Sequence, residues 1–257
     1  MTLKFTILGC GSSMGVPRPD GTFGNCDPKN IKNYRTRCSA IISTKYGNTL
    51  IDTSPDLRFQ LINNKIQKID RVLYSHFHGD QTHGINDLRI FFLKYKKRIP
   101  IYTDNKTKNY LLKSFKYCFK YKSSYPPILT TKKLKKFNVF KDKNFKLNVR
   151  SIIVEHGDVK CNAFIINNKC AYLSDVNKIY NKDYKYFRNI KYFIIDCLRY
   201  SKHRSHYNLN DVLNLVKILK PKKTILTNLH SDLDYKELKK ILPKNITPGY
   251  DGMSFNL

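Results

Sequence analysis

The feature that most limits the fold is a recurrence of short apolar runs, none long enough to cross a membrane, each closed by a turn residue or an acid and separated by helical patterns. Residues 4–9, 48–52, 69–75 and 99–102 read as strands because β-branched and aromatic side chains dominate them. Further along, 147–154, 163–166, 170–173, 192–195 and 224–227 read the same way, with Asn167-Asn168-Lys169 as a tight turn. Helical patterns fall at 55–63, 209–219 and 235–241; Ser54 is the expected N-cap of the first, with Pro55 in its first turn. Strand-rich halves with helices between them predict an α/β chain in which two sheets pack together and carry helices outside. A chain of 257 residues suffices for one domain over 1–257 with a core that needs no disulfides.

The segment SHFHGDQTHG, residues 75–84, holds three of the seven histidines of the chain. His76 and His78 leave the end of a strand, so side chains two apart project to one side and can grip one ion, and Asp80 can reach a neighbouring ion. The other histidines also stand near strand ends beside turn residues or acids: His156 in VEHGD, His203 and His206 in KHRSHY, His230 in NLHSD. Imidazoles with carboxylates suit zinc, manganese or iron. The seven cysteines form no C-x-x-C pair and are expected to be reduced and mostly buried. The N-terminal apolar run is too short for a secretory leader, so the expected location is the cytoplasm, with no membrane partner.

A formal net charge of +29 raises nucleic acid as a partner, because Lys and Arg neutralise phosphates. The positive residues are mostly Lys rather than Arg and come with abundant Asn, Ile, Tyr and Phe, which fits a compositional bias better than a dedicated groove. Nucleic acid is therefore possible but not favoured, and the field should draw in an anionic substrate. Residues 106–146 mix Lys with aromatics; a helix with an aromatic inner face and a solvated Lys face is preferred to an RNA-binding arm.

The motif at 75–84 resembles the H-x-H-x-D signature of the metallo-β-lactamase superfamily, and the resemblance runs along the whole chain. TILGCGSSMGVP is similar to its first strand and Gly-rich loop, LIDTSPD to the strand ending in a supporting acid, VEHG to the third histidine block and YLSDVN to the bridging aspartate. DCLRYSKHRSHYNLNDVL, ILTNLHSDLDYKEL, PGYDGM, NDLR, YCF and YPPIL resemble the branch typified by phosphoribosyl cyclic phosphate phosphodiesterases of the carbon-phosphorus-lyase pathway.

The resemblance implies an αββα sandwich with two divalent metals, zinc or manganese, at one edge of the sheets. One ion would take His76, His78 and His156, the second Asp80 and His230, and Asp175 would bridge them. Asp52 would orient a ligand imidazole, and His206 would stand free of the metals to protonate the leaving oxygen or, less favoured, to hold the phosphate. Two departures stand out. Gln81 occupies the place where the superfamily usually has a second histidine, with His83 in a structural or substrate-side role, and Cys26 stands alone where that branch has a cysteine cluster for an extra zinc. The Gly-rich loop at 9–15 either lines a phosphate pocket with backbone amides or is a simple turn. The implied activity is hydrolysis of a phosphodiester, expected to be a small cyclic phosphate, by water activated on the metals; a homodimer is open as the state of assembly. The rivals are a tRNA 3′-processing type of endoribonuclease and a non-catalytic nucleic-acid-binding protein on a decayed hydrolase fold.

Overall fold

The computed structural model describes residues 3–121, 125–142 and 145–257. Among these, β1 (Lys4–Gly9), β2 (Ser39–Thr44), β3 (Gly47–Ile51), β4 (Arg71–Leu73), β5 (Ile99–Thr103) and β6 (Leu129–Lys133) belong to a first sheet. A second contains β7 (Phe137–Asp142), β8 (Phe145–His156), β9 (Val159–Ile166), β10 (Cys170–Leu173), β11 (Tyr192–Asp196), β12 (Lys223–Thr227) and β13 (Ile246–Pro248). The last strand, β14 (Ser254–Asn256), returns to the first sheet. The strand orders are β14-β1-β2-β3-β4-β5-β6 and β13-β12-β11-β10-β9-β8-β7. Each sheet is antiparallel in one part and parallel in the other, the parallel parts being β3-β4-β5-β6 and β10-β11-β12-β13. Parallel neighbours point their carboxyl ends the same way, which gathers the loops that follow them along one edge.

Phe5, Ile7, Ile42, Ile51, Leu73, Val149, Phe164, Tyr172 and Ile194 interleave in the inner layer between the sheets. The helices that follow strands of the first sheet are α1 (Leu57–Asn63), α2 (Gly79–Thr82), α3 (Arg89–Tyr95), α4 (Asn105–Ser114) and α5 (Lys116–Phe119); outside the sheet, α1, α3, α4 and α5 bury Leu57, Phe91, Leu111 and Cys118 against Leu50 and Val72. Outside the second, α6 (Leu209–Leu219) and α7 (Tyr235–Ile241) place Leu215, Leu219 and Leu238 against Ile195 and Leu226. This is the expected αββα sandwich. Truncating a fully buried ring such as Phe164 would cost about 3–5 kcal/mol through lost transfer energy and the cavity left behind. Among the described residues, no helix is long and apolar enough to cross a membrane.

Several local expectations need correction. Ser54 does not cap α1: the N-cap is Asp56, and Ser54 Oγ accepts from the Asp56 N–H at 3.2 Å while its carbonyl accepts from Leu57 at 3.0 Å. The run at 69–75 is a strand only over Arg71–Leu73, because the chain must leave the sheet before the histidines. The described part of 106–146 is helical only as far as Phe119; it then supplies β6 and β7, and in β7 buried Asn138 and Phe140 alternate with exposed Phe137, Val139 and Lys141. The turn at Asn167-Asn168-Lys169 is as expected, Asn167 and Asn168 having positive φ, as a type I′ turn requires, and the Lys169 N–H donating to Ile166 O at 2.9 Å.

Candidate metal centre

The loops along the carboxyl edge carry nearly every polar side chain of interest. His76 and His78 follow β4, Asp80 and Gln81 lie in α2, and His156 ends β8. Asp175 follows β10, Asp196 ends β11, and His206 lies between β11 and α6. Two exits are sharp: Asp52 after β3 and Asn228 after β12 both adopt φ of 60°, a left-handed conformation that Asp and Asn tolerate better than other side chains. The sheets are tied to each other here, since Ser75 O accepts from both the backbone N–H and the side-chain amide of Asn162 in β9, at 2.9 and 3.0 Å.

His76, His78 and His156 converge so that one nitrogen from each lies within 4.8 Å of the others. His76 is fully buried; its Nδ1 is 3.0 Å from Ser75 Oγ, and its Nε2 has no hydrogen-bond partner. His156 Nδ1 is 2.7 Å from the carbonyl of Ser205. A carbonyl can only accept, so Nδ1 carries the proton and Nε2 offers its lone pair. Gly157, with φ of 56°, makes that contact possible, because a Cβ there would stand 2.9 Å from Ser205 Cβ. Burial lowers the pKa of all three imidazoles, aided by repulsion from neighbouring imidazoles, which for His156 is that of His206. They are thereby kept neutral, as ligands must be. An inward-facing orphan nitrogen among neutral imidazoles fits a divalent metal and is hard to explain without one.

A second group joins His156, Asp175 and His206, again with ligand atoms within 4.8 Å. Burial, then repulsion from Asp80, pushes the Asp175 carboxyl up to about 7. His206 Nδ1 lies 2.6 Å from the fully buried Asp196 carboxylate. Burial alone would lower the His206 pKa, but the carboxylate outweighs it and raises it to about 9. At neutral pH His206 is an imidazolium. Asp196 also accepts from the Val176 N–H and from Asn228 Nδ2, at 2.9 and 3.1 Å, which anchors it.

The other expected positions fall differently. Asp80 belongs to neither group and meets Asp175 only through Gln81, whose Nε2 is 3.2 Å from a carboxylate oxygen of each. His230 also lies outside both groups: its Nε2 is 3.1 Å from the Arg18 guanidinium and its Nδ1 3.2 Å from Asp232. Among the described residues Asp52 makes no hydrogen bond to an imidazole; it accepts from the Ser75 N–H at 2.8 Å and so positions the residue beside His76. His83 stacks on Tyr110 at the surface, with its Nε2 2.8 Å from the phenol, and His203 lies beside Ser205. Cys26 is buried, with Sγ 3.4 Å from the carbonyl of Ser231. The Gly-rich loop behaves as a turn: the N–H groups of Cys10, Gly11, Ser12 and Gly15 donate to Asp251, Thr36, Leu229 and Ser12, leaving none of these four for a phosphate. Sequence reasoning passed over Asp196 and Asn228, although an acid closing the apolar run FIID repeats the pattern that drew attention to Asp52.

The sequence profile described as "Beta-lactamase superfamily domain" matches residues 47–228, which include every member of both groups. A crystal structure of a new diphosphatase from the PhnP family superposes with a TM-score of 0.91 at 28% identity, covering 100% of this chain and 98% of that one. The short form of human tRNase Z superposes with a TM-score of 0.69 at 15% identity, with 98% of each chain covered, a likeness of fold alone. An octanoyltransferase of Porphyromonas gingivalis is 30% identical over 258 residues. That alignment takes in 98% of this chain, which spans about half the length of that relative.

Proposed function

This chain belongs to the beta-lactamase superfamily, and from that premise we propose that it is a metal-dependent phosphodiesterase acting on a small anionic phosphodiester, a cyclic phosphate first among candidates. The observation that carries the reading is the orphan Nε2 of His76 among three neutral imidazoles, beside a His206 held charged by Asp196. Likeness over the full length to a diphosphatase supports chemistry at phosphorus.

His76, His78 and His156 would hold a divalent cation, with the Asp175 carboxylate grouped beside His156, and this mixed imidazole and carboxylate set suits zinc or manganese. When bound, the cation lowers the pKa of a water and offsets charge on the phosphoryl oxygens. The protein's own groups do the rest. Ser205 O and Ser75 fix the ring orientations of His156 and His76. His206, with Nδ1–H donated to Asp196, has no lone pair for a metal while it is charged, and its Nε2–H is the proton that passes to the departing oxygen. The excess of Lys and Arg favours approach of an anion.

A screen of metal-reconstituted protein against cyclic phosphates, linear dinucleotides and pre-tRNA tests this reading; turnover of a small phosphodiester is expected, and none of any phosphodiester would overturn it. The charge of +29 keeps tRNA processing as the second reading, and selective cleavage of pre-tRNA would put it first. Octanoyl transfer names a protein about twice as long, and nothing in the clustered histidines and acids calls for an acyl carrier.

A further inference from the structure

The number of cations is decided by what faces Asp175. A second ion beside the first needs lone pairs or negative charge directed at the outer side of this carboxylate. The neighbours found there donate hydrogen. Gln81 Nε2 lies 3.2 Å from Asp175 Oδ2 and 3.2 Å from Asp80 Oδ2, spanning the two carboxylates that would share such an ion. Asn228 Nδ2 lies 3.5 Å from Asp175 Oδ1 and 3.1 Å from Asp196 Oδ1. Each amide thus stands between two carboxylates. For Gln81 the opposite amide orientation would set a carbonyl oxygen against two anionic groups, so the hydrogen-bond network selects the N–H₂ side; Asn228 Nδ2 also lies 3.1 Å from His206 Nδ1.

His230, the donor that the sequence resemblance assigns to a second site, is engaged elsewhere. His230 Nε2 is 3.1 Å from Arg18, and a guanidinium can only donate, so it takes up the Nε2 lone pair. A fixed positive charge beside the ring also opposes a dication there.

We infer that this centre holds one divalent cation, at His76, His78 and His156 with Asp175 beside His156, and that the amides of Gln81 and Asn228 take up the carboxylates that would otherwise recruit a second. The inference rests on the reading of the site as a metal hydrolase and departs from the pair of ions that the sequence resemblance implies. Neutral amides tie Asp80 and Asp175 together without adding charge, so the proximity of the two acids does not by itself create a second site.

The test is the metal content of the full chain after reconstitution with excess Mn(II) and desalting, read by elemental analysis and electron paramagnetic resonance. One equivalent with the spectrum of isolated Mn(II), lost in His76→Ala, is the expected result. Two equivalents with an exchange-coupled spectrum would overturn the inference and leave the hydrolase reading standing; none at all would overturn both. Gln81 Oε1 is buried without a partner, which makes Gln81→Leu the informative second variant. Its content should stay at one, whereas loss of the ion from a protein whose circular dichroism is unchanged would identify that oxygen as a ligand and overturn the assignment.

Discussion

At the scale of single residues, the pair of His206 and Asp196 separates binding from chemistry. His206→Ala should retain its metal while turnover falls by about a hundredfold to ten-thousandfold, the usual range for losing a general acid. The loss should be smaller for a nitrophenolate, which departs without a proton, than for an alkoxide; equal turnover of both esters by variant and wild type would remove His206 from the mechanism. The charged ring also fixes the direction of a pH effect. His206 is raised to about 9, so the active, protonated form persists below that value and the rate should fall as pH rises through it. Asp196→Asn keeps an acceptor for Nδ1–H but removes the negative charge, so this alkaline limb should move toward the ordinary histidine value of about 6.5. A limb that stays in place would assign it to another group.

At the scale of elements, the ends of strands matter more than the strands. Gly157, immediately after β8, combines a φ of 56° with close approach to Ser205, so Gly157→Ala should cost about 1–2 kcal/mol in backbone strain alone. It should also weaken metal binding by displacing the carbonyl that orients His156, which a paired measurement of unfolding midpoint and metal affinity would reveal. Much of this was legible in the sequence. Strands such as 170–173 and 192–195 are dense in apolar and β-branched side chains, and the Asn167-Asn168 turn has the residues its geometry demands. The strand Ser39–Thr44 was missed because its apolar core is only Ala40-Ile41-Ile42, set between small polar residues. The relation between His206 and His230 was beyond linear reading. Both lie in loops at the same edge, and only the fold shows that one meets Asp196 while Arg18 claims the other. The influence of Asn228 was equally hidden, since it depends on a left-handed turn that aims its amide at acids from two other strands.

At the scale of the whole molecule, 48 Lys and Arg against 19 Asp and Glu create a long-range field with a measurable signature. Binding of unstructured RNA should be weak and should fall about a thousandfold or more between about 50 and about 200 mM salt if several phosphates are contacted at once. Tight, salt-resistant binding of structured tRNA would show a built groove instead. The same molecular view changes the meaning of the metal. His76 and His78 come from the first sheet, His156 and Asp175 from the second, and the inner apolar layer joins the sheets like the spine of a book. A cation gripped from both covers is a clasp on the open side. Because it binds the closed form alone, it adds about 2.7 kcal/mol at a hundredfold excess over its dissociation constant, so the unfolding midpoint should climb with metal concentration. A chelator should act as a mechanical agent as well as an inhibitor, and proteolysis should then begin at the edge where the clasp has been undone.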